Sequence, residues 1–104
     1  MTKNNGKIFI FKDAMGKLED GNFVLLKGSK ISNVNRTNYS KYIYKLKENY
    51  NKYVNKSGLL KADLVFSNPS AAAIFVCGYS INGNIAWIDE QSGKKLKLSL
   101  EENK

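Results

Sequence analysis

The stretch Phe66-Ser67-Asn68-Pro69-Ser70-Ala71-Ala72-Ala73-Ile74-Phe75-Val76-Cys77-Gly78 decides how this chain folds. Ser67-Asn68-Pro69-Ser70 supplies a capping side chain and a proline of the kind tolerated in a first helical turn. Three alanines and four larger apolar residues follow, and Gly78 is a natural stop. The result is a helix over 69–77, about two and a half turns long, apolar on every side and therefore buried. Before it, Ala62 to Phe66 reads as a short strand. After it, Ile81-Asn82-Gly83-Asn84 reads as a tight turn in which Gly83 adopts positive φ. Ile85 to Ile88 and Lys95 to Leu98 read as two strands joined by Glu90-Gln91-Ser92-Gly93, with Trp87, the single tryptophan, packed against the apolar helix. Glu101 to Lys104 reads as a frayed tail.

Further toward the N-terminus, Lys7-Ile8-Phe9-Ile10-Phe11 is a strand by composition, closed by Asp13 to Gly16. Gly21-Asn22 introduces a second strand, Phe23-Val24-Leu25-Leu26-Lys27, and the two form an antiparallel pair. Ser32 to Asn38 is polar and reads as loop. From Tyr39 to Asn55 the period changes: Tyr39, Tyr42, Ile43, Leu46, Tyr50, Tyr53 and Val54 fall on one helical stripe about 120° wide. Lys41, Lys45, Lys52 and Lys56 fall opposite, and Gly58 marks the stop. Strands and helices are segregated rather than alternating, so the fold class is α+β. The expected architecture is one domain over 1–104, a small antiparallel sheet covered by the longer amphipathic helix, with the short apolar helix beside it.

Composition narrows the function. The chain has 104 residues, 42% apolar and 25% charged, close to the globular average. Cys77 is the only cysteine and there is no histidine, which excludes an internal disulfide, the usual zinc sites and any His-based triad. Cys77 sits within an apolar helix and reads as a small core residue. The neighbouring carboxylates Asp89 and Glu90 read as a solvated turn, with no ligand cluster around them. Phosphate-binding glycine loops are absent. No catalytic residues, no metal and no cofactor are therefore expected. The N-terminal residues lack the apolar core of a signal peptide, and the run Ala71 to Cys77 is far shorter than the ~20 residues of a membrane span. A soluble, cytoplasmic protein without membrane contact is expected.

The net charge is +8, with seventeen basic groups against nine acidic. Residues 1–38 carry +4 and residues 39–61 carry +5, so the excess is concentrated in the first 61 residues. Two readings of the lysine face follow. In one, Lys41, Lys45, Lys52 and Lys56 are the solvated side of an amphipathic helix, their abundance reflecting AT-rich coding, which also produces the thirteen asparagines. The domain is then a protein-interaction or purely structural accessory. In the other, the four ammonium groups track a phosphate backbone, DNA in the first instance.

A resemblance bears on the choice. Phe66-Ser67-Asn68-Pro69-Ser70-Ala71-Ala72-Ala73, then Gly78-Tyr79-Ser80-Ile81-Asn82-Gly83, then Trp87 and the closing Ser92-Gly93-Lys94-Lys95-Leu96 resemble the domain of unknown function 4357 family. The resemblance is good over 64–98 and looser over 22–62. It is also similar to the RAMA domains associated with adenine methylases. Here Asn84 stands where the RAMA pattern has its first tryptophan, and Tyr79 and Ile88 stand where relatives commonly carry basic residues. The resemblance implies a non-catalytic DNA-binding accessory to a separate or fused nuclease or methylase domain, such as a GIY-YIG nuclease or a restriction-modification system. It implies Ser70, Asn82 and Gly83 as nucleic-acid contacts beside the lysines, with Pro69, Gly78 and Trp87 as structural positions.

Overall fold

The computed structural model describes residues 7–32, 41–79 and 81–97. Five antiparallel strands form one sheet in the order β4-β3-β2-β1-β5: β1 Phe9–Phe11, β2 Ala14–Glu19, β3 Asn22–Leu25, β4 Leu64–Phe66 and β5 Ile88–Asp89. The helices are α1 Lys41–Tyr50, continued by a 3₁₀ turn at Asn51–Tyr53, then α2 Pro69–Cys77 and α3 Gly83–Ala86. The fold is α+β. No helix among the described residues is long and apolar enough to cross a membrane.

The N-terminal sheet differs from the sequence expectation by one strand. Asp13 to Gly16 is not a closing segment: Lys12-Asp13 is a two-residue turn, and Ala14 already belongs to β2. Gly16 mimics a turn signal but serves packing. A Cβ there would lie 2.2 Å from Cε1 of Phe23, so the missing side chain makes room for that ring. β2 therefore separates the two strands expected to pair. Asp20 and Gly21, with φ of 53° and 82°, form the two-residue loop to β3, the positive-φ geometry that suits the twist of a hairpin.

Which helix covers the sheet also differs. It is α2 that packs on β3 and β4, while α1 lies against α2. All residues from Ala71 to Cys77 are buried, as an apolar helix between two layers must be. Its ends match the sequence reading: Asn68 Oδ1 accepts from Ala71 N at 2.8 Å, Pro69 opens the first turn, and Gly78 closes the helix with φ of 82°. Tyr50 fastens α1 to this unit, its ring 4.8 Å from that of Phe66 and 5.7 Å from that of Phe75.

The amphipathic helix is shorter than its periodicity suggests. Val54 is extended and bridges to Leu60, and Lys56 lies in a turn. That turn is made by Asn55, whose Oδ1 accepts from Ser57 N and Leu59 N, and by Gly58 at φ of 84°. An asparagine offering its own acceptor to the following amides competes successfully with another helical turn. Tyr39 lies outside the described residues, and Tyr42, placed by spacing on the apolar stripe, is 52% exposed. Among the described residues the helix that α1 packs on is α2, and the stripe that is buried is narrower than the stripe that is apolar.

The C-terminal expectations are corrected in several respects. Asn82-Gly83 is not a hairpin turn and Gly83 is not at positive φ; the pair opens α3. Residues 85 and 86 are helical and Ile88–Asp89 forms strand, bridged by Lys95; of the strand expected over Lys95 to Leu98, residues 96 and 97 are helical instead. Asp89, expected in a solvated turn, is 3% exposed, pairs with Lys7 Nζ at 3.5 Å and accepts from Gln91 N. Leu98 and the tail lie outside the described residues.

Candidate nucleic-acid interface

The residues of the Pro-Ser…Asn-Gly…Trp motif meet at the first turn of α2. Ser70 Oγ accepts from Gly83 N at 2.8 Å, and Pro69 O accepts from Trp87 Nε1 at 3.0 Å. The backbone of Pro69 and Ser70 passes so close that a Cβ on Gly83 would sit 2.4 Å from Pro69 C and Ser70 N. Trp87 is fully buried, its ring centroid 4.6 Å from Phe23 and 5.7 Å from Phe11. Ser70, Gly83, Pro69 and Trp87 therefore close a clasp between α2, α3 and the sheet, and their donors and acceptors satisfy one another. Asn82 is the exception. Its side chain is exposed and accepts from Asn84 N at 2.9 Å as the cap of α3. The close approach at Gly83 left no signal in the sequence beyond the glycine itself, because it depends on a segment thirteen residues away.

The four lysines are not on one helix. Lys41 and Lys45 are exposed on α1, Lys52 is on the 3₁₀ turn, and Lys56 is on the Asn55–Gly58 turn. Backbone pairing then brings in lysines that periodicity could not group with them. Lys30 N donates to Asp13 O, which places Lys30 beside the Lys12-Asp13 turn, and Lys30 also bridges to Leu59. Gly28 N donates to Leu60 O, and Lys61 N to Tyr53 O. Lys12, Lys30, Lys56 and Lys61, with Lys27 and Lys52 adjoining, thus share one end of the sheet, all of them exposed. Among the described residues Asp13 and Asp63 are the acidic ones there, and Asp63 Oδ1 accepts from Lys27 N at 2.7 Å. Ser29 holds this loop in place: its buried hydroxyl accepts from Met15 N and donates to Met15 O, standing in for a strand neighbour where β3 departs.

Lys47 carries no distinguishing signal in the sequence and does something different. Its ammonium donates to Phe75 O at 2.7 Å and to Ser32 O at 3.0 Å, and lies 5.0 Å from the Phe75 ring centroid. The last carbonyls of a helix lack intrahelical donors. In α2, Ile74 O is served by Gly78 N, Phe75 O by Lys47 and Val76 O by Ser32 N. A cation at a helix C-terminus also meets the negative end of the helix dipole. Burial lowers the Lys47 pKa from its ordinary 10.5, opposed by attraction to Cys77. The unfolded chain then binds the proton more tightly, so stability rises with pH in the window just below 10.5. Replacing Lys47 by Met leaves two carbonyls without their donor and is expected to lower stability by about 1–3 kcal/mol. Urea melts of wild type and variant across that window will show the deficit widening as pH rises. A deficit independent of pH would contradict the assignment.

The clasp and the lysines lie at different ends of α2. Gly83 touches its first turn, whereas Lys47 and Ser32 reach its last, and nine residues of helix span about 13 Å between them. Among the described residues no group of three metal-ligating side chains converges.

These features define a class: a small α+β domain whose antiparallel sheet carries one buried helix, pinned at its first turn by a Ser–Gly–Trp clasp. The chain belongs to the family described as Domain of unknown function (DUF4357), which matches residues 10–99. No curated protein and no solved structure matches it.

Proposed function

We propose that this is a non-catalytic nucleic-acid-binding domain, with DNA its first ligand, acting as accessory to a separate or fused nuclease or methylase. The observation that carries the reading is the set of exposed lysines without carboxylate partners. Among the described residues the ion pairs are Lys7–Asp89 and Lys17–Glu19, and both lie away from the loop end. Lys12, Lys27, Lys30, Lys52, Lys56 and Lys61 are left at that end, and Lys41 and Lys45 on α1. Solvated lysines at this density attract polyanions, and each phosphate neutralised releases counterions. A non-catalytic role is supported by the absence of histidine and by Cys77, which is 2% exposed with its thiol donating to Tyr79 O.

The test is a salt series of binding to random-sequence DNA. The reading expects log affinity to fall steeply and linearly with log salt. Lys45→Glu with Lys56→Glu is expected to weaken binding at least tenfold for unrelated sequences and to flatten the slope by about 2. Affinity unchanged by that pair would leave the lysines as solvated surface and favour a protein-interaction role.

A further inference from the structure

The strand pairing fixes which residues share each face of the sheet. Phe23, Leu25, Leu64 and Phe66 point to the side of α2 and lie in the core cluster with it. The residues that alternate with them point to the other side. There Ile88, Ile10 and Met15 stand opposite one another across β5, β1 and β2, and Lys17, Val24 and Val65 do so across β2, β3 and β4. Leu26, whose N donates to Met15 O, extends the first row, and Ile8, two residues ahead of Ile10, extends the second. The face is thus two adjacent rows of aliphatic side chains, broken by Lys17. Met15 is 40% exposed and Val65 57% exposed, whereas α1 and α3 both pack on α2, across the sheet from them.

An aliphatic patch of this kind marks an association site. Its charge says what fits. The domain carries +8, yet here the Lys17 ammonium pairs with Glu19 of the same strand at 3.7 Å, which leaves the face close to neutral. Such a face has nothing to offer a polyanion and sets little local repulsion against its like. Its pattern is also self-complementary. A two-fold axis running across the strands between the rows lays the first row of one copy on the second row of another. Ile10 then meets Ile8, Val24 meets Leu26, and the aliphatic stem of Lys17 covers Met15. Two sheets packed in this way lie about 10 Å apart with their strands near alignment. Five strands spaced ~4.8 Å make a face roughly 20 Å across, and pairing two such faces covers about 1,000 Å², the lower end for a specific interface.

We propose that this face of the sheet is a homodimer interface, a second copy packing sheet on sheet over Met15 and Val65. The inference stands apart from the nucleic-acid reading. The test is sedimentation velocity of the full chain over a concentration series. An interface of this size dissociates in the micromolar range, so the chain is expected to pass from monomer to dimer between about 5 and 500 μM. Screening the net charge of +8 is expected to strengthen association at least threefold between about 0.1 and 0.5 M salt, the reverse of phosphate binding. Met15→Lys and Val65→Lys, both on exposed side chains, are each expected to melt as wild type and to weaken dimerisation at least tenfold. Ile85→Lys, at a side chain 52% exposed on α3, is expected to dimerise within about twofold of wild type, since it lies off this face. A dimer left intact by Met15→Lys and Val65→Lys would overturn the proposal. A chain monomeric at every concentration would overturn it too, and would leave the face to a different protein.

Discussion

Alanine at position 83 is expected to destabilise the domain by about 3 kcal/mol, although alanine is the better helix former. Gly83 begins α3 outside the left-handed region, so backbone conformation does not require glycine. At an open helical position Gly→Ala would add up to about 1 kcal/mol of stability. Here the new Cβ meets Pro69 C, Ser70 N and Pro69 O at 2.4–2.6 Å, all backbone atoms that no rotamer change can move aside. Relief requires α3 to retreat from α2, which stretches the Ser70–Gly83 hydrogen bond and shifts Trp87 from its pocket. Overpacking of this kind costs about 1–3 kcal/mol, at the upper end where the obstacle is rigid. Chemical denaturation of the variant checks the sign as well as the size, and a stabilised variant would contradict the close approach.

Trp87→Ala is expected to lose about 3–5 kcal/mol. The indole is fully buried, packs on Phe23 and Phe11, and donates to Pro69 O. Truncation opens a cavity and leaves that carbonyl unpaired at once. Domains of this size have about 5–15 kcal/mol in total, so the variant will be marginal at room temperature. Trp87→Phe retains most of the packing and isolates the hydrogen bond, with an expected loss of about 1–2 kcal/mol. Urea titrations of both variants provide the comparison; a Phe variant as unstable as the Ala variant would show that the hydrogen bond, not the ring, dominates.

The elements legible in the sequence are those whose signals are local. α2 could be bounded from Asn68, Pro69 and Gly78 because capping, proline placement and a left-handed stop act within a few residues. β2 was not legible, because Gly16 carries the mark of a turn while its use, space for the Phe23 ring, comes from the next strand. Tyr42 has core spacing yet is exposed, because spacing reports the periodicity of a helix and not how wide a stripe its neighbours cover. Lys52 and Lys56 continue the helical period of Lys41 and Lys45, yet α1 ends at Tyr50, Val54 is extended, and the turn held by the Asn55 side chain carries Lys56 into the loop end. The grouping of Lys12 and Lys30 with that turn depends on strand pairing across the fold. The motif residues were recognisable as a set, and what only coordinates supply is the hydrogen bond from Gly83 N to Ser70 Oγ across thirteen residues.

In the proposed function the family motif serves as architecture, and nucleic acid binds at the lysines toward the other end of α2. Asn82 is exposed, while Pro69 and Ser70 are half-buried and Gly83 and Trp87 buried, and Asp is as good a helix cap as Asn. Asn82→Asp and the pair Lys45→Glu with Lys56→Glu should therefore be compared side by side for melting temperature and for affinity to the same DNA. Both are expected to melt as wild type; the Asn82 variant is expected to bind within about twofold of wild type, and the lysine pair at least tenfold more weakly. Binding lost in Asn82→Asp and kept in the lysine pair, at unchanged stability, would contradict the claim.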